Sequence, residues 1–398
     1  MDLYVQMGHG MQSLALELLE SGGPETFILS PLNSQENRLI QFANKAKKKG
    51  AKLLMDPQLY CPRKHQKNLC NYSYWPQGET TNLESGNCDR VINSLIALNE
   101  KLQTSAVILP SFLQKKVDAR WNAVQKLLLE SALKNAHRKT LFHTIALTSE
   151  VLLDEMQVQA ILGFVSDWDV TGVYIVCEHP GKYYLVNQPL WLSNLLDLVS
   201  GIKRHGKKVI VGYASHQMLC LSLSKCDAIA SGNFLNVRWF QPEHFETLES
   251  DEISRRAVWY YCPQALSEFK VPFLDIAKRM NLLDRLAPAE TMINPYCEML
   301  FGTALPTATG YNEKNAHRHY LYSLHKQCLN AVRESYAETK AAQLLSLETA
   351  DHLLTGLREK GIKGQDRDFS EVSDVNRAAI AAHDMAYGFP LSHEWSSL

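Results

Sequence analysis

Asp56, His143, Glu178 and His216 each sit in or just after a short apolar run, and they supply two carboxyl and two imidazole groups that could move protons. His9, Ser111, Tyr213, Asn233 and Arg238 stand in similar positions. Their side chains suit substrate binding, with the Arg238 guanidinium matched to a phosphate.

Bringing groups so distant in sequence together takes a repeating framework. Eight short, β-branched apolar runs recur, at Leu3–Met7, Thr26–Ser30, Lys52–Met55, Ala106–Pro110, Thr140–Ala146, Val173–Cys177, Lys208–Gly212 and Asp227–Ser231. Amphipathic stretches of helical length lie between them, among them Met11–Glu20, Ser34–Lys49 and Leu190–His205. Eight such units in residues 1–240 predict a (β/α)8 TIM barrel, with an open doubly wound sheet as the alternative. Barrels carry their chemistry at the C-terminal ends of the strands, which is where the polar residues above fall. The lysines of Lys45-Ala46-Lys47-Lys48-Lys49-Gly50 read differently: cations complete a helix against its dipole and glycine ends it.

A metal reading uses some of the same groups, since His143, Glu178 and His216 could ligate Zn²⁺ or Mn²⁺. Barrel metallohydrolases, however, open with an H-x-H pair, whereas here the first run leads into Met7-Gly8-His9-Gly10 and Asp227 begins the eighth run. A divalent metal is compatible with the set but not indicated, and the cofactor is left unknown.

With 398 residues, 45% of them hydrophobic and 21% charged, the chain can bury a large core and is not a disordered polyelectrolyte. A net charge of −1 argues against a generally basic nucleic-acid coat but leaves room for a local basic groove. The lack of a long apolar run and of a basic leader predicts a soluble, cytoplasmic protein with no membrane partner. Nine scattered cysteines without a C-x-x-C pair read as reduced thiols.

Two regions fall outside the repeat. The segment between Asp56 and Cys88 interleaves Tyr60, Tyr72, Tyr74 and Trp75 with Arg63, Lys64, His65 and Lys67. It should fold over the strand ends, either stacking on a base or packing as a satellite cluster. Cys61, His65, Cys70 and Cys88 lack the paired spacing of a zinc site. Beyond residue 240 the strand signals stop, so residues 241–398 read as a helical C-terminal extension, with one long helical pattern over Asn312–Glu359. Its stripe of Leu321, Leu324, Cys328, Val332 and Tyr336 needs a cover: the barrel wall, a second copy in a homo-oligomer, or a partner protein.

Some of these segments resemble the tRNA-guanine transglycosylase family. Lys52-Leu53-Leu54-Met55-Asp56-Pro57-Gln58-Leu59-Tyr60 is similar to that family's strand, aspartate and aromatic in order. Val211-Gly212-Tyr213-Ala214-Ser215-His216, Cys226–Gly232 and Asn236-Val237-Arg238 are similar to its last two units. The resemblance implies a barrel with Asp56 in base recognition or proton transfer and Arg238 on a phosphate. The chain departs from the family where the nucleophilic aspartate should stand, at Ala230 or Ser231, and in lacking the three-cysteine, one-histidine zinc site.

The function expected is therefore that of a TIM-barrel enzyme acting on a nucleobase, nucleoside or nucleic-acid-derived substrate by glycosyl-bond or hydrolytic chemistry. Its partners would be a nucleotide-like small molecule, tRNA or DNA. Two alternatives stand beside it: a non-catalytic barrel that binds a nucleotide-like ligand and docks a partner protein through its C-terminal helices, and a barrel metallohydrolase.

Overall fold

In the computed structural model, which describes residues 1–63, 66, 68–76, 86–135, 139–245 and 257–398, all eight apolar runs are strands of one parallel sheet. β1 (Asp2–Gln6), β2 (Thr26–Leu29), β3 (Lys52–Met55), β4 (Val107–Leu109), β5 (Leu141–Leu147), β6 (Gly172–Cys177), β7 (Lys208–Val211) and β8 (Ala228–Ser231) pair in the order β3-β2-β1-β8-β7-β6-β5-β4. Because β1 lies against β8, with Tyr4 opposite Ala230, the sheet is rolled. Its remaining seam, between β3 and β4, is bridged where the Ser105 amide donates to the Leu53 carbonyl at 2.8 Å. This is a nearly closed (β/α)8 barrel and not an open doubly wound sheet.

The connections carry α1 (Gln12–Glu20), α2 (Glu36–Lys48), α3 (Gly86–Lys101), α4 (Ala119–Asn135), α5 (Ser149–Leu152), α6 (Glu155–Val165) and α7 (Pro189–Arg204). After β7 comes a 3-10 segment, His216–Ser224. Side chains alternate along every strand, so the barrel has two cores. Ile28, Leu54, Ile108, Phe142, Tyr174, Ile210 and Ala230 fill the lumen. Their neighbours Phe27, Leu53, Val107, Ile145, Ile175, Val209 and Ile229 point out under the helices. Gly212 is required here, because a Cβ would lie 2.3 Å from the Tyr174 hydroxyl that reaches across the lumen.

Strands do not stop at residue 240. β9 (Trp259–Cys262) and β10 (Ser267–Lys270) form an antiparallel hairpin in a segment whose aromatic residues read as helical. The helices of this region are α8 (Val271–Arg279), α9 (Glu313–Leu329), α10 (Tyr336–Arg358) and α11 (Ser373–Glu394). The single helical pattern over Asn312–Glu359 is thus two helices. Ser335 starts the second, its side chain accepting from the Glu338 amide at 3.2 Å as an N-cap. Leu321, Leu324, Cys328 and Tyr336 are buried, and α9 packs on β1, β9 and α1, so the chain itself covers the stripe. Among the described residues no helix is long and apolar enough to cross a membrane.

Candidate functional site

Asp56 follows β3 with its carboxylate inside the lumen, where five donors close on it. The Tyr60 hydroxyl at 2.7 Å and the Gln58 amide at 2.9 Å donate to Oδ1. The hydroxyls of Tyr213 at 2.8 Å and Tyr174 at 3.3 Å, with Gln6 Nε2 at 3.4 Å, donate to Oδ2. The donors come from the end of β1, the middle of β6 and the residues just after β3 and β7, so the barrel itself assembles the nest. Gln58 and Tyr213 take left-handed backbone, with φ of 55° and 51°, and are joined where Gln58 Nε2 donates to the Tyr213 hydroxyl at 3.1 Å. Such strain persists only where the surroundings over-determine it.

Burial pushes the Asp56 carboxyl up to about 6, with the tyrosine hydroxyls and the Gln58 amide pulling the other way. Burial and the neighbouring carboxylate push Tyr60, Tyr174 and Tyr213 well above the usual phenol range. Over this nest the rings of Tyr60, Phe240 and Phe245 pack with centroids 5.1–5.5 Å apart, all of them buried. The lumen is shut.

The other expected residues do not share that space. His143 faces outward from β5, its ring 4.6 Å from Trp168, and burial lowers it to about 4. The half-buried Glu178 follows β6, accepts from the Ser149 amide at 3.1 Å, and is pushed up by burial. His216 lies among Tyr184, Tyr261, Tyr320 and Phe369 and is lowered to about 4 by burial. The proposed metal set is therefore dispersed, and among the described residues no three metal-ligating side chains gather. Ser111 is buried, its hydroxyl turned to the Phe112 carbonyl at 3.3 Å. In the loop after β3, Lys64, His65 and Lys67 lie outside the described residues. Tyr60, Tyr72, Tyr74 and Trp75 are buried and pack as part of the molecule's cores.

His9, Asn233 and Arg238 do converge, on an open groove. It consists of two adjoining cavities, of about 1120 and 650 Å³, that share His9, Asn236 and His244. Along the larger one, Gln35, Arg38, Gln41 and Lys45 fall on one face at the start and along the length of α2, at spacings of three and four. Among the described residues no Asp or Glu lines this cavity. Among the described residues Arg38 and Lys45 have no ion-pair partner. Lys45, grouped above with the helix-ending lysines, thus faces the groove.

The smaller cavity is aromatic and carries a buried ion triad. Arg238 donates to the Gly232 carbonyl at 2.9 Å, the Asn233 carbonyl at 2.7 Å and Glu268 Oε2 at 3.1 Å, with its guanidinium 3.5 Å from the Tyr320 ring centroid. Arg367 donates to the same Oε2 at 2.8 Å and lies 3.9 Å from the Trp259 ring centroid, while the Tyr184 hydroxyl donates to Oε1 at 3.2 Å. Burial opposes the charge of Glu268, but the two guanidiniums outweigh it and hold the carboxyl down at about 2. Trp239, Phe234 and His317 complete the wall.

Glu268, Trp259 and Arg367 were not among the expected site residues. The signal that could have found the first two is a hairpin one: two short runs, Trp259-Tyr260-Tyr261-Cys262 and Ser267-Glu268-Phe269-Lys270, flanking Pro263-Gln264-Ala265-Leu266. Arg367, about a hundred residues further on, has no local signal.

No family model matches the chain, and no curated protein does. Solved structures that are similar include thiamine phosphate pyrophosphorylase from Pyrococcus furiosus, at 11% identity over 58% of this chain and 85% of that one, with a TM-score of 0.32. A GH10 xylanase from Thermobacillus composti shares 11% identity over 81% and 96% of the two chains, with a TM-score of 0.37. The 3-dehydroquinate dehydratase of Aquifex aeolicus shares 9% over 58% and 89%, at 0.34. At such values none of them bears on function, and the barrel rests on its own strand order.

Proposed function

We propose that the protein binds a nucleotide or a nucleic-acid-derived anion in the groove across the C-terminal face of its barrel. The observation that carries this reading is the joining, in one groove, of a stretch that holds Arg38 and Lys45 and, among the described residues, no acid to an aromatic stretch holding Trp239, Trp259 and Arg367. Cations suit the phosphates and aromatic faces suit the bases, a combination that neither a sugar nor a peptide site needs. A labelled single-stranded oligonucleotide titrated by fluorescence anisotropy tests it. Binding should weaken as salt rises, and Trp259→Ala should cost about 1–3 kcal/mol, roughly fivefold to a hundredfold in Kd. Failure of the intact protein to bind the oligonucleotide or a mononucleotide rejects the reading.

A catalytic version of the reading rests on Asp56. Its carboxyl, raised to about 6, is near the pH at which proton exchange is efficient, and a ligand in the groove would reach it only if Phe245, which covers it and also lines the groove, swings aside. The likeness to tRNA-guanine transglycosylases fits a role in base recognition or proton transfer. A covalent ribose intermediate does not fit, because Ala230 faces the lumen and offers no nucleophile. Release of free base from nucleosides or RNA should then be abolished by Asp56→Asn while oligonucleotide affinity is retained. Equal base release by the variant would remove Asp56 from the chemistry.

A further inference from the structure

We infer that the outer face of α11 is the contact through which two copies of this chain pair, antiparallel, about a two-fold axis. The inner face of that helix is already engaged. Ile380 and Leu391 are buried, His383 meets Asp197 of α7 at 2.6 Å, and Arg204 donates to Glu394 at 2.8 Å. Just past the helix, Trp395 Nε1 donates to the Arg333 carbonyl at 3.1 Å. The orientation of α11 is therefore fixed, and its sequence decides what it turns outward.

Every exposed residue of this helix between Asp374 and Ser392 is apolar: Ala378, Ala381, Ala382, Met385, Ala386 and Phe389. Met385 and Phe389, 91% and 78% exposed, are the two most exposed large apolar side chains among the described residues, and they lie one turn apart. The charged residues beside the face are engaged within the chain, Arg377 with Asp351 at 2.7 Å and Asp384 with Lys340 at 2.9 Å. A contiguous apolar face with a polar rim marks an interaction site.

The order of these residues identifies the occupant as a second copy. An antiparallel helix whose two-fold axis passes midway between His383 and Asp384 sets Ala378 opposite Phe389, Ala382 opposite Met385 and Ala381 opposite Ala386. Each large side chain thus meets an alanine, the alternation that lets two faces interdigitate. A single register satisfies all three pairs, and a two-fold contact demands this, because each residue must meet in the partner what the partner meets in it. The same register brings Asp374 opposite His393, both exposed, at each end of the contact, and lays the two helix dipoles antiparallel. His393 Nδ1 is 2.9 Å from the Phe389 carbonyl, which leaves the Nε2 edge to face that carboxylate, an attractive pair when the ring is protonated. An anionic membrane would require cations on such a face, and between Asp374 and His393 its exposed residues include no Lys or Arg.

Two helices meeting along about 28 Å make a contact near the low end of the range for specific interfaces, on the order of 1,200 Å², so the pairing should be reversible. The test is sedimentation equilibrium of the full chain from about 1 to 100 μM, a span that brackets micromolar association, over which monomer should give way to dimer. Phe389→Glu should weaken the dimer about tenfold or more, with circular dichroism and the thermal transition retained because the side chain is exposed. Leu345→Glu, at another exposed leucine, on α10, should leave the dimer intact. Charge reads the register: His393→Glu sets two carboxylates opposite one another at both ends and should weaken the dimer several-fold, and adding Asp374→Lys should restore it. A monomer at every concentration, or a dimer that Phe389→Glu leaves unchanged, overturns the inference. No loss in His393→Glu, or a loss that Asp374→Lys does not repair, overturns the antiparallel register.

Discussion

The lumen and the groove wall each bury one carboxyl, and they hold it in opposite states. Asp56 is met by three phenols, an amide side chain and a backbone amide, all neutral, and sits at about 6. Glu268 is met by two guanidiniums and a phenol and sits at about 2. Both are essentially inaccessible to water. The difference teaches that five dipoles do not offset the loss of hydration of a carboxylate, whereas two full charges do. It also separates roles: a carboxyl near 6 can exchange a proton, while one near 2 is a fixed countercharge that holds two arginines in the groove wall.

The comparison breaks most visibly at Glu268. Glu268→Leu would leave Arg238 and Arg367 facing one another without a countercharge, Arg238 fully buried. Removing one partner of a buried ion group costs about 3–5 kcal/mol, so urea unfolding should show a loss of that size. A loss under about 1 kcal/mol would mean that water already reaches the triad, and that the wall is not held by it.

Acid sharpens the contrast, because the two carboxyls have opposite signs. The folded-state value of Asp56 lies above its usual 3.8, so its contribution is fully present below pH 3.8 and is lost as pH rises through about 6. Glu268 lies below its usual 4.5, so its contribution is fully present above pH 4.5 and is lost as pH falls through about 2. Between pH 4.5 and 6 the Asp56 effect should stand alone. Asp56→Asn should remove a pH-dependent term of about 2–3 kcal/mol across the full window from 3.8 to 6. Identical stability profiles for the two proteins would show that Asp56 titrates as an ordinary carboxyl.

These two carboxyls differ as much in how legible they were. Asp56 is announced by the strand before it, since the residue that follows a barrel strand stands at the C-terminal rim where polar groups gather. The same logic located His9, Asn233 and Arg238 near the groove. It misplaced His143, because the phase of β5 turns position 143 outward and 142 inward, and an apolar run buried on both faces carries no mark of phase. It misread Glu268, because aromatic residues at 259–269 suit a packed helix as well as a strand and only the turn between them distinguishes the two. Arg367 reaches Glu268 across 99 residues, a contact set by packing and not by any local pattern.

Phe245 is the partition between the two regions, and its size can be tuned. Phe245→Leu keeps an apolar cover and should cost less than about 1.5 kcal/mol. Thinning the cover admits water to the nest, which weakens the desolvation that raises Asp56. The window of acid-dependent stability should narrow from its upper end, toward pH 4. An unchanged window would show that Tyr60 and Phe240 alone keep the lumen dry.

The smallest effect on the fold is expected at Arg38 and Lys45, and there the groove alone is under test. Both are exposed on α2, and among the described residues neither has an ion-pair partner, so Arg38→Ala and Lys45→Ala should each change stability by no more than about 0.5 kcal/mol. Neither touches the lumen, so the acid profile assigned to Asp56 should be unaltered. Oligonucleotide binding should respond quite differently. If each cation displaces one counterion from a phosphate, each substitution should lower the slope of log affinity against log salt by about 1, and the pair by about 2. Trp259→Ala should weaken binding with that slope intact, because stacking releases no counterion. A slope that is the same in all three variants would place the phosphates elsewhere and leave the groove with no claim to an anion. A slope that falls only in the α2 variants would locate the backbone of the ligand along that helix and its bases on the aromatic wall.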